Sequence, residues 1–274
     1  VGILMQDIRN PYYASACWQG DRLLDRSGYG SVICNVDNDP GREEDCLDSM
    51  AYRNVDGVLC IGPQEETPHI INAATRLDVP VVLVDTDSEV TDLDIVTLDN
   101  VYGVQLVVDY LVSLGHRRIA FVTSGFTGAE RARRVGYEEG LQARGIEMDN
   151  SLVITQSEEQ WHQGEFPALL DLIRRDNRPT ALFASNDFKA IRIMRLLHRL
   201  GVSVPGEISV VGYDDTDVAS MITPGLTTVH QPIDKMIDIG VGILLRRMEG
   251  DTGAAEHAVL RPWLVEREST KKVL

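Results

Sequence analysis

The sequence lacks any long apolar run, although hydrophobic residues make up 43% of its 274 positions. A membrane-spanning helix needs about 20 consecutive apolar residues, so we expect no segment within a membrane. The first residues, Val1 to Met5, are apolar but have neither a basic segment nor a cleavage signal beside them, which argues against a signal peptide. These absences predict a cytoplasmic protein.

Basic residues are also scarce. Lys and Arg together number 26 against 42 Asp and Glu, which gives a formal net charge of -16. Phosphate groups repel a chain of this charge, so we expect no broad nucleic-acid-binding surface in this segment. The charge leaves open a basic module outside the segment.

Cysteines and catalytic motifs are few. The four cysteines form no C-x-x-C pair and have no histidine nearby at metal-ligand spacing. They are Cys17, Cys34, Cys46 and Cys60. We therefore predict reduced thiols and no metal site. No G-x-S-x-G, Walker A or H-E-x-x-H motif occurs, so the sequence supports neither catalysis nor a cofactor, and we predict a protein that is not an enzyme.

Short apolar runs alternate with helical patterns in the first part of the chain. The predicted strands are Val1–Met5, Ser31–Val36, Gly57–Ile61, Pro80–Val84 and Ile95–Leu98. The predicted helices are Ala14–Ser27, Arg42–Arg53, Pro68–Leu77 and Val101–Leu114. Strands that alternate with helices across short connections indicate a parallel sheet with helices on both faces.

The same pattern then starts again. The predicted elements are strands at Arg118–Thr123, Leu152–Thr155, Ala181–Ala184 and Ile208–Val211, and helices at Ala129–Arg144, Trp161–Arg174 and Asp187–Leu200. The tail adds a strand at Leu226–Gln231, a helix at Ile233–Met248 and an extended piece at Ala258–Glu266. This tail is too short for a third domain, so it must join the existing ones. We therefore predict an α/β fold of two similar doubly wound parallel-sheet lobes, with a hinge and an interlobe cleft.

Polar turns follow two of the predicted buried strands. Asn186 comes just after the strand Ala181–Ala184, and Asp214 comes just after Ile208–Val211. In an open parallel sheet, ligands bind at the carboxyl ends of the strands. Asn186 and Asp214 are therefore the centre of a predicted binding site.

The segment from Val204 to Pro232 reads VPGEISVVGYDDTDVASMITPGLTTVHQP. It resembles the effector-binding core of the LacI/GalR (lactose-repressor) family of transcription regulators. The same resemblance extends to NVDGVLC at 54–60, VTLDN at 96–100, LGHRRIAFVTSG at 114–125, the helix start Arg133-x-x-Gly136-Tyr137 and LVERES at 264–269. Together these motifs cover essentially the whole chain.

The resemblance implies a periplasmic-binding-protein-like fold of type I. Its N-terminal lobe would comprise residues 1–99 plus 232–258, and its C-terminal lobe residues 100–231 plus 259–274. It also implies a homodimer in which a sugar or sugar-like effector moves the lobes. That movement would control operator DNA binding by an N-terminal helix-turn-helix headpiece, which either lies outside this segment or has been lost. The alternative is a periplasmic sugar-binding protein of a transport system, which predicts a secretory signal and a monomer.

Three polar residues of the second half are candidate ligand contacts. Asp214 resembles the family aspartate that accepts hydrogen bonds from ligand hydroxyls, and a helix N-cap is its alternative role. Arg133 resembles the family's ligand arginine, and an Arg at a helix start opposes the helix dipole, which disfavours a structural role. For Asn186, capping of the following helix is the alternative.

Three aromatic residues are further candidates. Tyr12 and Tyr13 follow the first strand, where the family places aromatic or polar contacts. Trp161 follows a predicted strand and could stack on a sugar ring. Packing in the core is the alternative for each of the three.

Three more polar residues complete the predicted site. Asp85 and Asp99 end strands of the first lobe, and a solvated turn carboxylate is the alternative for both. Asn10 resembles an asparagine in the first loop of some family members, and an Asn-Pro turn is its alternative.

Overall fold

The computed structural model describes residues 1–37, 39–62, 78–86, 92–125 and 127–273. Within them the chain forms two units. The first unit contains residues 1–98, 127–129 and 232–260, and the second contains residues 99–126, 130–231 and 261–274. The predicted helix Pro68–Leu77 lies outside the described residues. No helix in the described part of the chain is long and apolar enough to cross a membrane.

Strands and helices alternate along the described chain. The strands are β1 (Gly2–Met5), β2 (Val32–Asn35), β3 (Val58–Ile61), β4 (Val81–Val84), β5 (Asp94–Leu98), β6 (Ile119–Thr123), β7 (Val153–Thr155), β8 (Ala181–Ala184), β9 (Ser209–Val211), β10 (Thr228–His230), β11 (His257–Leu260) and β12 (Trp263–Val265). The helices are α1 (Pro11–Arg26), α2 (Pro40–Tyr52), α3 (Asn100–Ser113), α4 (Gly128–Ala143), α5 (Glu158–Gln163), α6 (Pro167–Arg174), α7 (Asp187–Arg199), α8 (Asp217–Met221) and α9 (Ile233–Met248).

The first unit is built on a parallel sheet with the strand order β11-β5-β4-β3-β1-β2. Strands β1, β3 and β4 are buried along their whole length, which explains why they are continuous apolar runs rather than alternating ones. Helix α9 packs on this sheet with an apolar face. Its buried side chains include Met236, Ile237, Val241, Ile243 and Leu244.

The second unit is built on a parallel sheet with the strand order β7-β6-β8-β9. Strands β10 and β12 form a separate antiparallel pair. In its core, the ring of Phe121 stacks between those of Tyr137 and Phe183, with centroid separations of 5.4 and 5.1 Å. The predicted α/β fold with parallel sheets is confirmed, and both sheets have the strand order of doubly wound folds.

Helix α1 begins three residues earlier than the sequence predicts. Asn10 caps it, because its side-chain oxygen accepts a hydrogen bond from the Tyr12 amide, and Pro11 occupies the first helical position. Proline is suited to that position because the amide hydrogen it lacks would have no partner there. Tyr12 and Tyr13 therefore belong to the first helical turn, not to a preceding turn.

Two predicted elements are each divided in the structure. The single predicted helix Trp161–Arg174 is wrong, because α5 ends at Gln163 with a left-handed cap at Gly164 (φ of 74°), and α6 starts at Pro167. The predicted extended piece Ala258–Glu266 is also two strands. Its first part, β11, pairs with β5 in the first unit, and its second part, β12, pairs with β10 in the second.

Candidate functional site

In both sheets the order of the strands reverses beside the first strand of the unit. In the first unit the chain order reverses between β1 and β3, and in the second it reverses between β6 and β8. The loops that leave such a reversal at the carboxyl ends of the strands diverge and form a crevice, where ligands of doubly wound folds bind. The candidate residues are described below by their position at these two carboxyl edges.

Arg133 lies at the carboxyl edge of the second sheet and is buried, with 5% of its surface exposed. Its Nε donates to the Asn100 side-chain oxygen at 2.9 Å, and its Nη1 donates to the Ser185 carbonyl at 2.6 Å. The guanidinium carbon lies 3.9 Å from the centroid of the Tyr213 ring. A guanidinium held by an amide, a carbonyl and an aromatic face is fixed in direction, and these contacts leave it positively charged.

Asp214 follows β9 at the same edge and is buried. Its Oδ1 accepts a hydrogen bond from the Gln231 Nε2 at 2.7 Å, and its backbone has a φ of 122°. It caps no helix, because α8 begins at Asp217 with Thr216 at the cap position. Asp214 is therefore not a helix N-cap, which was the alternative role that the sequence left open for it.

Asn186 and Asp99 are both helix caps. The Asn186 side chain accepts from the Lys189 amide at 2.9 Å at the start of α7. The Asp99 side chain accepts from the Tyr102 amide at 3.0 Å at the start of α3. Each cap uses a side-chain oxygen, so the caps explain why these residue types occur there. A ligand role for either residue stays a prediction.

Trp161 occupies a position in the core of the second unit. Its side chain has no exposed surface and packs against Phe166, with ring centroids 5.2 Å apart. It belongs to a cluster that also includes Leu152, Leu169 and Ile193. A fully buried ring fits the core-packing alternative better than stacking on a sugar.

At the carboxyl edge of the first sheet, the two tyrosines lie beside the end of β3. The rings of Tyr12 and Tyr13 meet edge to face, with centroids 5.3 Å apart. A Cβ at Gly62 would lie 2.6 Å from the Tyr13 ring, so the close packing of Tyr13 depends on a glycine there. Tyr12 is buried, whereas Tyr13 is partly exposed.

Two polar side chains at this first edge are buried. Asp85 follows β4 with a left-handed φ of 59°, and its amide donates to the Val96 carbonyl. Gln6 follows β1, has no exposed surface, and its amide group has no hydrogen-bond partner among the described residues. Sequence reasoning missed Gln6, although a Gln directly after a buried apolar run is a detectable signal. A buried amide without a partner indicates a place for water or ligand.

A charged cluster at the second edge was also missed. Glu130 and Lys189 are both buried and form an ion pair, with Nζ and Oε1 2.8 Å apart. Glu130 also accepts from the hydroxyls of Ser124 and Ser185, each at 2.5 Å. Lys189 and these donors hold the pKa of Glu130 well below its usual range, although burial acts in the opposite direction. Both members of the pair are therefore ions.

The described part of the chain contains no group of three or more His, Cys, Asp or Glu side chains that could hold a metal ion. Its four cysteines are free thiols. Burial raises the pKa of Cys17 to about 12 and that of Cys46 to about 11. Cys17 and Cys46 are therefore protonated at neutral pH, so they are poor nucleophiles and poor metal ligands.

Known proteins resemble this chain over nearly its full length. A family model described as a periplasmic binding protein-like domain matches residues 108–270. The ribose operon repressor of Escherichia coli strain K12 is 30% identical over 270 residues, which are 98% of this chain and 81% of the repressor. The chain belongs to the LacI family of transcription regulators. Another relative, the HTH-type transcriptional regulator DegA of Bacillus subtilis strain 168, is 31% identical over 274 residues, 98% of this chain and 80% of DegA.

A solved structure of this LacI family is similar throughout. It is a LacI family transcriptional regulator from Enterococcus faecium with bound ribose, which is 27% identical, covers 100% of this chain and 99% of its own, and superposes with a TM-score of 0.88. These relatives confirm the predicted family and favour a regulator over a periplasmic transport protein. They also agree with the fold predicted from the sequence.

Proposed function

We propose that this chain is the effector-sensing part of a LacI-family transcription regulator, and that its effector is a sugar of the ribose type. The observation that supports the proposal is a set of polar side chains, held in place by hydrogen bonds, at the carboxyl edge of the second sheet. There Arg133 is fixed by Asn100 and Ser185, and Asp214 is fixed by Gln231. Donors and acceptors held in this way suit the hydroxyl groups of a sugar. The ribose bound to the Enterococcus faecium relative supports the choice of sugar.

The remaining predicted contacts belong to the same proposal. They are Asn10, Tyr12, Tyr13, Asp85 and Asp99, together with Asn186 in the second unit. We propose that effector binding acts by differential affinity for two arrangements of the lobes, because a ligand shifts an equilibrium only by as much as it prefers one state. The lobe boundaries given by the resemblance stay a prediction.

The partners follow from the family. We propose a homodimer acting in the cytoplasm, without catalytic activity, that binds operator DNA through a helix-turn-helix headpiece. The 42 acidic against 26 basic residues of this chain support the assignment of DNA contact to such a headpiece. The regulators among the relatives support the same arrangement.

Isothermal titration calorimetry with D-ribose, other sugars and nucleosides tests the proposal. Arg133→Ala and Asp214→Asn are each expected to weaken sugar binding about 10- to 100-fold, since a hydrogen bond to a charged group contributes about 1.5–3 kcal/mol. Arg134→Ala is the matched control, because Arg134 pairs with Glu138 on the exposed side of the same helix. Failure of every sugar and nucleoside to bind the wild-type chain would overturn the proposal.

A further inference from the structure

The ion pair of Glu130 and Lys189 lies where the strand order of the second sheet reverses, between β6 and β8. Ser124 directly follows β6 and Ser185 directly follows β8, the two strands between which the order reverses. Glu130 bridges them, because its Oε2 accepts from the Ser124 hydroxyl and its Oε1 accepts from the Ser185 hydroxyl. The Ser185 carbonyl in turn accepts from Arg133. The pair is thus joined to the candidate site through one residue.

Both carboxylate oxygens of Glu130 already accept hydrogen bonds. Its Oε1 accepts from the Ser185 hydroxyl, the Lys189 ammonium and the Ser124 amide, while its Oε2 accepts from the Ser124 hydroxyl. Both Glu130 and Lys189 are at least nine-tenths buried. Neither is therefore a contact for a ligand, and the pair acts as an internal support of the edge.

Glu158 is the third partner of Lys189 and differs from Glu130 in exposure. The Lys189 Nζ lies 3.0 Å from the Glu158 Oε1, and 26% of the Glu158 side chain is exposed. The other carboxylate oxygen, Oε2, has no hydrogen bond to the described residues. Glu158 thus presents a partly exposed carboxylate whose direction is fixed by a buried ammonium.

The segment that carries Glu158 holds a second unsatisfied acceptor. Gln156 is buried, and its Nε2 donates to the Glu165 carbonyl at 2.7 Å, but its Oε1 has no partner among the described residues. Gln156 directly follows β7, which pairs with β6 on the side away from β8. Buried acceptors without donors are rare in proteins and usually indicate an absent water or ligand.

We propose that Glu158 is a specificity-determining contact of the effector site, and that Lys189 is the positioning residue that orients it. A fixed carboxylate accepts hydrogen bonds from two neighbouring hydroxyls, the arrangement found along a sugar. A hydroxyl can donate to the Glu158 carboxylate, whereas a phosphate group at the same position would meet a like charge. This contact therefore favours a neutral sugar over a phosphorylated one. This inference rests on the proposed sugar-sensing function.

Calorimetry with D-ribose and D-ribose 5-phosphate tests the role of Glu158. The Glu158→Gln variant is expected to bind D-ribose about tenfold more weakly and to shift the ratio of the two affinities toward the phosphate. Glu159→Gln is the matched control, because Glu159 lies in the same helical turn and accepts from the exposed Gln163 side chain. A purely structural role would not change the ratio between the neutral and the charged ligand.

The outcomes separate this inference from the proposed function. If wild-type protein binds D-ribose and Glu158→Gln keeps both its affinity and its preference, the role of Glu158 is refuted while the sugar-sensing function stands. Preference of the wild-type protein for the phosphate would also refute it. If no sugar binds the wild-type protein, the proposed function itself fails.

A double variant tests the positioning role of Lys189. Lys189→Met alone would leave Glu130 buried without its counter-ion and is expected to fold poorly. Lys189→Met with Glu130→Gln removes both buried charges, so the protein is expected to fold while Glu158 loses its fixed direction. We expect it to reproduce the weaker D-ribose binding and the altered preference of Glu158→Gln. A folded double variant that binds as the wild type does would refute the role of Lys189.

Discussion

Asp187 illustrates how burial changes the chemistry of a single residue. Its carboxyl group has no exposed surface and accepts from the Thr228 hydroxyl at 2.6 Å and from the Thr216 amide at 2.8 Å. No cation is among these partners. Burial raises the pKa of Asp187 to about 7, because the hydrogen bonds only partly offset the loss of hydration.

This pKa predicts a pH dependence of stability. Between about pH 4 and pH 7 the carboxyl is ionised in the unfolded chain but protonated in the folded one, so unfolding releases a proton. The free energy of unfolding should therefore fall as pH rises through this window, by up to about 1.4 kcal/mol per pH unit from this group. Urea unfolding of the wild type and Asp187→Asn from pH 4 to pH 8 measures the effect as the difference between the two proteins.

The difference between proteins is needed because other groups titrate nearby. Burial lowers the pKa of His116, so that residue contributes an opposite trend below its unfolded pKa. His116 is present in both proteins and cancels in the difference. Asp217→Asn, at the exposed first residue of α8, is the matched control. A wild-type advantage over Asp187→Asn that stays constant across the window would contradict the prediction.

At the scale of single residues, the sequence predicted which residues follow the strands, but it did not predict which side chains they bond to. Arg133 and Asp214 follow from their motifs, and both lie at the carboxyl edge of the second sheet. Their partners Asn100 and Gln231 are 33 and 17 positions away, so no local pattern joins them. For Trp161 the sequence left ligand stacking and core packing open, because it shows a tryptophan near a strand end but not the apolar cluster around it.

At the scale of elements, helix α9 offers a paired test of packing. A Cβ at Gly240 would lie 2.7 Å from the Val84 Cγ2, whereas a Cβ at Gly242 would meet nothing within 4 Å. Gly242→Ala is expected to raise the free energy of unfolding by up to about 1 kcal/mol, since alanine favours a helix over glycine. Gly240→Ala is expected to lower it by about 1–3 kcal/mol, since the helix must move away from β4. Urea denaturation measures both.

The two variants control each other, because they make the same change two positions apart on one helix. Equal effects of Gly240→Ala and Gly242→Ala would show that α9 does not approach the sheet as closely as described. The sequence predicted α9 at Ile233–Met248, which is confirmed. Its apolar period gave these bounds, but the close approach of Gly240 depends on β4, which is more than 140 positions earlier.

Helix boundaries were predicted less well where the apolar periodicity and a glycine, proline or capping signal disagreed. The apolar period continues through Trp161–Arg174, so the sequence predicted one helix. Gly164 and Pro167 divide it, because a left-handed residue ends one helix and a proline starts the next. At α1 the cap of Asn10 places the helix start at Pro11, three residues before the predicted start at Ala14.

At the scale of the whole molecule, neither unit is continuous in sequence. Residues 232–260 follow most of the second unit in the chain but belong to the first. They supply α9 and the edge strand β11, whose partner is β5. The first unit therefore cannot be completed until nearly the entire chain is present.

A truncated chain tests this dependence. A protein ending at Gln231 would lack α9, and its sheet would expose the apolar surface that Met236, Ile237 and Leu244 cover. We expect it to lose cooperative unfolding of the first unit and to aggregate, as measured by circular dichroism and gel filtration. A chain ending at Lys272 keeps every described helix and strand and should behave as the full chain does. Normal folding of the shorter chain would contradict the prediction.

The sequence by itself determined the alternation of strands and helices, the parallel sheets and the family, because apolar periodicity and short motifs are local properties. Only the tertiary structure decided that Glu130, Glu158 and Lys189 meet. Their positions are 28 and 31 residues apart, and they come together because β6, β7 and β8 are adjacent in the sheet. Likewise, only the fold shows that Trp161 is fully buried. Contacts between distant segments depend on strand order, which periodicity does not encode.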